Sequence, residues 1–169
     1  MVHKINSLAL LVLFLSVFSS TLHAQKYGVV NYSSVLEEMP TYQKAKKDLK
    51  DYQEKLQKVL SEKQAVYEQE QKTLTTQFRT AKIDEATYRK GMNKIGAKFK
   101  GANEEAQRSL NTKESDLMYP VFKSLKDAIE AVAISKGYVM IFDSSDGDTV
   151  FFADQTINLE AAVKAKLGI

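Results

Sequence analysis

The sequence predicts an α+β fold that is mostly α: a long antiparallel helical hairpin, a coiled-coil arm, projecting from a small β body. Three observations predict it. Between residues 41 and 117, apolar residues recur at spacings of three and four while charges fill the remaining positions, the mark of helices with one apolar stripe. That pattern breaks once, near 80–84. The flanking residues 25–40 and 119–169 carry short strand-like runs instead.

In the first arm the stripe is Tyr42, Ala45, Leu49, Tyr52, Leu56 and Val59. Lys63 interrupts the heptad, and the stripe steps to Leu60, Tyr67, Leu74, Phe78 and Ala81. Ala45, Leu56, Tyr67 and Phe78 lie eleven apart, which suits a nearly straight or slightly right-handed arm. The second arm repeats the habit with Tyr88, Met92, Ile95, Phe99, Ala102 and Ala106, continued by Leu110 and Leu117. Residues 80–84 are the expected reversal, with Asp84 as N-cap of the returning helix. A single uninterrupted helix of about 75 residues is the alternative; the break at Asp84 and the matched arm lengths favour the hairpin. Each arm of roughly 40 residues would be about 60 Å long.

Residues 1–24 read as a secretory signal peptide. Lys4 gives the positive start, 7–18 an apolar run, and Leu22-His23-Ala24 a small residue before a cut near Ala24. A membrane anchor is the competing reading, but the run is short for a span. The remaining 145 residues contain no Cys, His or Trp. Thiol chemistry, disulfides, His-activated nucleophiles and His/Cys metal sites are thereby excluded. Carboxylates are plentiful, yet none forms a recognisable catalytic pair, so neither enzyme activity, a metal nor a cofactor is expected.

Charge is polarised. Residues 77–100 hold seven basic and two acidic residues, whereas 101–169 hold seven basic and eleven acidic. Such a run can be a solvated face only, or it can attract acidic or anionic partners. Export argues against nucleic acid as that partner.

In the body, 26–31 (Lys-Tyr-Gly-Val-Val-Asn) reads as a strand with Val29 and Val30 buried. Ser34 and Glu37 form a capping-box pattern that starts a short helix, and Pro40 punctuates it. In the second arm, Gly91, Gly96 and Gly101 each cost about 1 kcal/mol against Ala; they mark either close helix contact or an arm that bends. Pro120 predicts a kink, followed by a third helix with Val121, Leu125, Ala128, Ile129 and Val132, capped by Gly137. Strands are expected at 138–143 and 149–153, joined by a turn at Asp146-Gly147. Asp143, Asp146 and Asp148 fail the spacing of a calcium loop. Asp154 is expected to cap a final helix over 157–168, with Ile157, Leu159, Val163 and Leu167 buried. Removing the 78-residue hairpin (41–118) leaves a 67-residue body, marginal alone, so oligomerisation is expected.

The ordered series 26–31, Val35-Leu36, Pro40, the charged hairpin, Pro120 before an Ile129-containing helix, Gly137-Tyr138 leading into 139–143, and Asp154-Gln-Thr156 resembles the Skp/OmpH family of periplasmic chaperones over the whole exported chain. The resemblance implies a homotrimer whose small β bodies join and whose three hairpins surround a cavity. It implies an ATP-independent holdase, without cofactor, for unfolded outer-membrane β-barrel proteins, and in some members an association with lipopolysaccharide. Within that frame Val29, Val30, Val139, Ile141, Val150 and Phe152 are the expected trimer-body core. Phe78, Tyr88, Met92, Ile95 and Phe99 are the candidates for weak apolar contacts with a client, unless they only close the hairpin. Arg79, Lys82, Arg89, Lys90, Lys94 and Lys98 would draw in acidic clients or an anionic membrane surface. A structural or adhesive coiled-coil protein of the cell envelope is the competing reading.

Overall fold

A computed structural model describes residues 25–169; the expected signal peptide, 1–24, lies outside them. In chain order they form strand β1 (Lys26–Val30), helix α1 (Tyr32–Glu38), helix α2 (Pro40–Arg79), helix α3 (Glu85–Lys136), strand β2 (Tyr138–Asp143), a 3-10 turn (Gln155–Ile157) and helix α4 (Glu160–Leu167). Helices α2 and α3 form the antiparallel hairpin, and the two strands form a parallel pair that packs with α1, α4 and the C-terminal part of α3. Among the described residues no helix is long and apolar enough to cross a membrane.

The sheet is small and parallel, Gly28 facing Ile141 and Val30 facing Asp143. Parallel neighbours need a crossover, and here the crossover is the whole hairpin. Gly28 is required by close approach: a Cβ there would sit 2.8 Å from Leu159 Cδ1 and 3.0 Å from the Tyr138 ring. On the other side of β1, the Leu159 amide donates to the Val29 carbonyl at 2.9 Å.

The core is one cluster. It joins Val30, Val35, Leu36 and Met39 to Ala45, to the α3 stripe Val121, Leu125, Ala128 and Val132, and to Leu159 and Val163. The 4-3-4 spacing of that stripe sets one face of α3 against the body.

Four local expectations are corrected. The new helix expected after Pro120 is absent: α3 runs through it as one helix of 52 residues. Proline removes a single hydrogen bond, and Val121 and Leu125 on the next turn are buried while Leu117 and Met118 pack on the same core, so burial on both sides carries the helix on. The short helix begins at Tyr32, not Ser34. Asn31 is its N-cap and accepts the Ser34 amide at 2.8 Å, while Asp143 accepts the Tyr32 amide and the Ser145 hydroxyl the Ser33 amide; these side chains satisfy first-turn amides one turn earlier.

Residues 149–153 form no strand. Asp146 takes the Asp148 and Thr149 amides at 3.2 and 3.3 Å, which holds the segment in a local turn, and Phe151 and Phe152 stay 90% and 86% exposed. The body therefore has two strands, not three. The final helix is divided: Asp154 caps only the 3-10 turn, accepting the Thr156 amide at 2.8 Å. The chain then turns so that Leu159 pairs with Val29, and α4 starts at Glu160.

Candidate functional site

The far end of the hairpin is held by a helix stop and a helix start. At the end of α2 the Lys82 amide donates to the Gln77 carbonyl at 2.9 Å and the Ala81 amide to Phe78 at 3.0 Å, the paired bonds of a Schellman motif. Ala81 occupies the left-handed position with φ 53°, where glycine is normal. Asp84 then caps α3 by accepting the Thr87 amide at 2.8 Å. Thr87, through hydroxyl and amide, holds the Asp84 carboxyl below its ordinary range.

Inside that turn the candidate apolar residues fall into two aromatic pairs and a floor. Phe78 stacks on Tyr88 with centroids 4.7 Å apart. Phe99 meets Tyr67 edge-on at 6.5 Å. Ile95 is buried between the arms and Met92 is half-buried, so these two close the hairpin, whereas Phe78 and Phe99 keep exposed surface.

The candidate cations divide as well. Lys98 crosses the arms to Glu70 at 2.8 Å, and Arg89 pairs with Glu85 at 3.7 Å. Arg79, Lys82, Lys90 and Lys94 are exposed and make no ion pair among the described residues. Their charge is therefore available to a partner.

The glycines differ from one another. A Cβ at Gly91 would lie 2.5 Å from Leu74 Cδ2, while Gly96 and Gly101 face open space. Gly91 lets the arms approach closely, and a groove of about 510 Å³ opens beside it, lined by Gln69, Thr73, Leu74, Gln77, Lys94 and Ile95 among others. Gln69, Thr73 and Gln77 were not singled out by apolar patterning; their i, i+4, i+8 spacing on α2 was the available signal.

A second apolar surface lies on the body. Of the expected body core, Val29 and Val30 are buried, Ile141 and Val150 half-buried, and Val139 and Phe152 exposed. Val139, Met140 and Phe142 of β2, Tyr119, Phe122 and Ile134 of α3, and the Phe151–Phe152 pair all reach solvent. A cavity of about 580 Å³ opens between Tyr119, Phe122, Ile129 and Ile141. So much exposed apolar surface on one small unit is characteristic of an interaction site.

Comparison with known proteins agrees with the fold. A crystal structure from Caulobacter crescentus CB15, assigned as an outer membrane chaperone (OmpH-like), superposes with a TM-score of 0.62 at 15% identity, covering 87% of this chain and 86% of that one. No curated protein matches the sequence. The family model described as outer membrane protein (OmpH-like) matches residues 26–167, nearly all of the described chain. The protein belongs to the OmpH-like outer membrane protein family.

Proposed function

We propose that this protein is an ATP-independent periplasmic holdase that shelters unfolded outer-membrane β-barrel proteins between helical arms and keeps them from aggregating before membrane insertion. The observation that carries the reading is the arm itself: a 40-residue helix antiparallel to the first part of a 52-residue one, about 60 Å of reach, with half-exposed aromatics among unpaired cations at its far end. Weak, dispersed apolar contact is what a changing client needs, and cations favour rapid capture of acidic chains. The structural relative's assignment as an outer membrane chaperone and the family name point the same way.

In this reading three copies join through the exposed apolar surface of the body, with Val139 and Phe152 buried between them, and 1–24 direct export. Anionic lipid or lipopolysaccharide is a further partner suited to the basic tip. Release follows when the client's own folding competes for its apolar segments.

The test is light scattering. An unfolded outer-membrane β-barrel protein is diluted from denaturant into buffer without ATP, with and without an excess of the mature protein. Suppressed aggregation is expected. Undiminished aggregation in the presence of folded trimer would favour a structural coiled-coil role instead.

A further inference from the structure

The groove beside Gly91 has features that hairpin closure does not require. Gln69, Thr73 and Gln77 line one wall at successive i, i+4 positions of α2, about 6 Å apart along the axis. Peptide groups on one edge of an extended chain repeat every two residues, about 6.6 Å. The row therefore runs nearly in step with an extended backbone over two repeats.

The side chains of that row are also free. Neither amide nor the Thr73 hydroxyl has a hydrogen-bond partner among the described residues, whereas the neighbouring Thr76 and Thr80 hydroxyls bond back to α2 and Gln64 bonds Glu68 at 3.0 Å. A glutamine amide both donates and accepts, so it can meet a peptide backbone of any sequence. The opposite wall carries Lys94, which has no ion pair, and Lys98, whose charge is met by Glu70 across the groove at 2.8 Å, so Lys94 supplies the net charge; the floor is Leu74 and Ile95 with the bare backbone of Gly91 against Leu74. An apolar floor, a few polar groups and a volume of this size are the ordinary make-up of a ligand site.

We infer that this groove seats one extended segment of an unfolded polypeptide, its backbone along Gln69, Thr73 and Gln77, one large apolar side chain over Leu74 and Ile95, and an acidic neighbour on Lys94. The inference rests on the chaperone reading and gives it a defined subsite within a single hairpin. The cationic wall selects acidic-flanked segments over basic ones. Gly91 is what keeps the floor open, because any side chain there would press on Leu74.

The experiment uses the mature protein with a photo-crosslinking benzoylphenylalanine at Thr73, and at exposed Gln53 as control, with an unfolded outer-membrane β-barrel protein as probe. In parallel, binding of a fluorescent peptide carrying Phe between two Asp residues is compared with its Asn counterpart. Strong crosslinking at 73 over 53 is expected. The double variant Gln69→Ala/Gln77→Ala, which empties the row, should weaken peptide binding by about tenfold, the equivalent of about 1.4 kcal/mol. Lys94→Glu should weaken the Asp peptide and spare the Asn peptide. Equal crosslinking at both positions, with peptide binding unchanged in folded variants, would overturn the groove while aggregation suppression by the wild type still upheld the chaperone. Loss of suppression in the folded wild type would remove both.

Discussion

Phe78 stacks on Tyr88 across the two arms, with ring planes 16° from parallel, just inside the point where the chain reverses. The pair joins the last apolar position of α2 to the first aromatic of α3 and closes the hairpin where no body contact can help. Neither residue touches the body core. Phe78→Ala should therefore loosen the tip by about 1 kcal/mol, seen as roughly fivefold faster amide exchange over 70–95. The unfolding temperature of the body should not move. Exchange at the wild-type rate would show that the stacking contributes nothing.

The tip turn carries its own strain. Ala81 sits at φ 53° with its Cβ in the left-handed region, while the hydrogen bonds around it are those of a glycine-terminated helix. Ala81→Gly should stabilise the turn by ~0.5–1 kcal/mol and slow exchange of the Ala81 and Lys82 amides. Ala81→Val should do the opposite. If the glycine variant frays faster, the flexibility it adds to the unfolded tip outweighs the strain it relieves.

The unpaired cations make a separable prediction about function. Reversing Arg79, Lys82, Lys90 and Lys94 to Glu breaks no ion pair within the arm, so the fold should survive. Capture of an acidic client should fall by about tenfold in low-salt buffer, and the deficit should fade near ~0.5 M salt, where charges are screened within about 4 Å. Unchanged affinity at low salt would assign these residues to solubility alone.

The hairpin was legible in the sequence because its signals are local. A 3-4 stripe, a reversal at Asp84 and a glycine stop at Gly137 each depend on a few neighbouring residues, and α2, α3 and the caps at Asp84 and Gly137 follow them. The body was less legible because its outcome is set by contacts over a hundred residues away. Asn31 outcompetes Ser34 as a cap because Asp143 and Ser145 cover the next amides. Residues 149–153 have strand composition, but β1 is already occupied on both sides by β2 and Asn158, and Asp146 draws the Asp148 and Thr149 amides into a local turn instead of onto the open edge of β2. Pro120 is a local stop signal overruled by the burial of Val121 and Leu125. At the candidate site, the cations and aromatics were visible from composition. The groove was not, since it needs Gln69, Thr73 and Gln77 on one arm to face Gly91 and Lys94 on the other.

Asp143 ties the end of β2 to the start of α1, and that tie should be sensitive to acid. Its carboxylate accepts the Tyr32 amide at 3.2 Å, the Ser145 amide at 2.9 Å and the Ser145 hydroxyl at 2.6 Å. Partial burial pushes its titration up, but the hydrogen bonds from the Ser145 hydroxyl and the Tyr32 and Ser145 amides outweigh it, and the net shift is downward. A carboxyl whose folded pKa lies below its unfolded value of about 3.9 stabilises the fold above that pH, and the contribution is lost as pH falls through the folded pKa. Asp84 and Asp154, lowered by bonds to Thr87 and Thr156, act in the same direction. Thermal unfolding should thus be level near neutrality and fall below about pH 4. Asp143→Asn keeps an acceptor without the charge, so its unfolding temperature should be lower at pH 7 and fall less on acidification. Asp143→Ala frees the Tyr32 amide in the first turn of α1 and should cost about 1 kcal/mol at pH 7. An acid slope in Asp143→Asn identical to the wild type would locate the titrating groups elsewhere, with Asp84 and Asp154 as the next variants to measure.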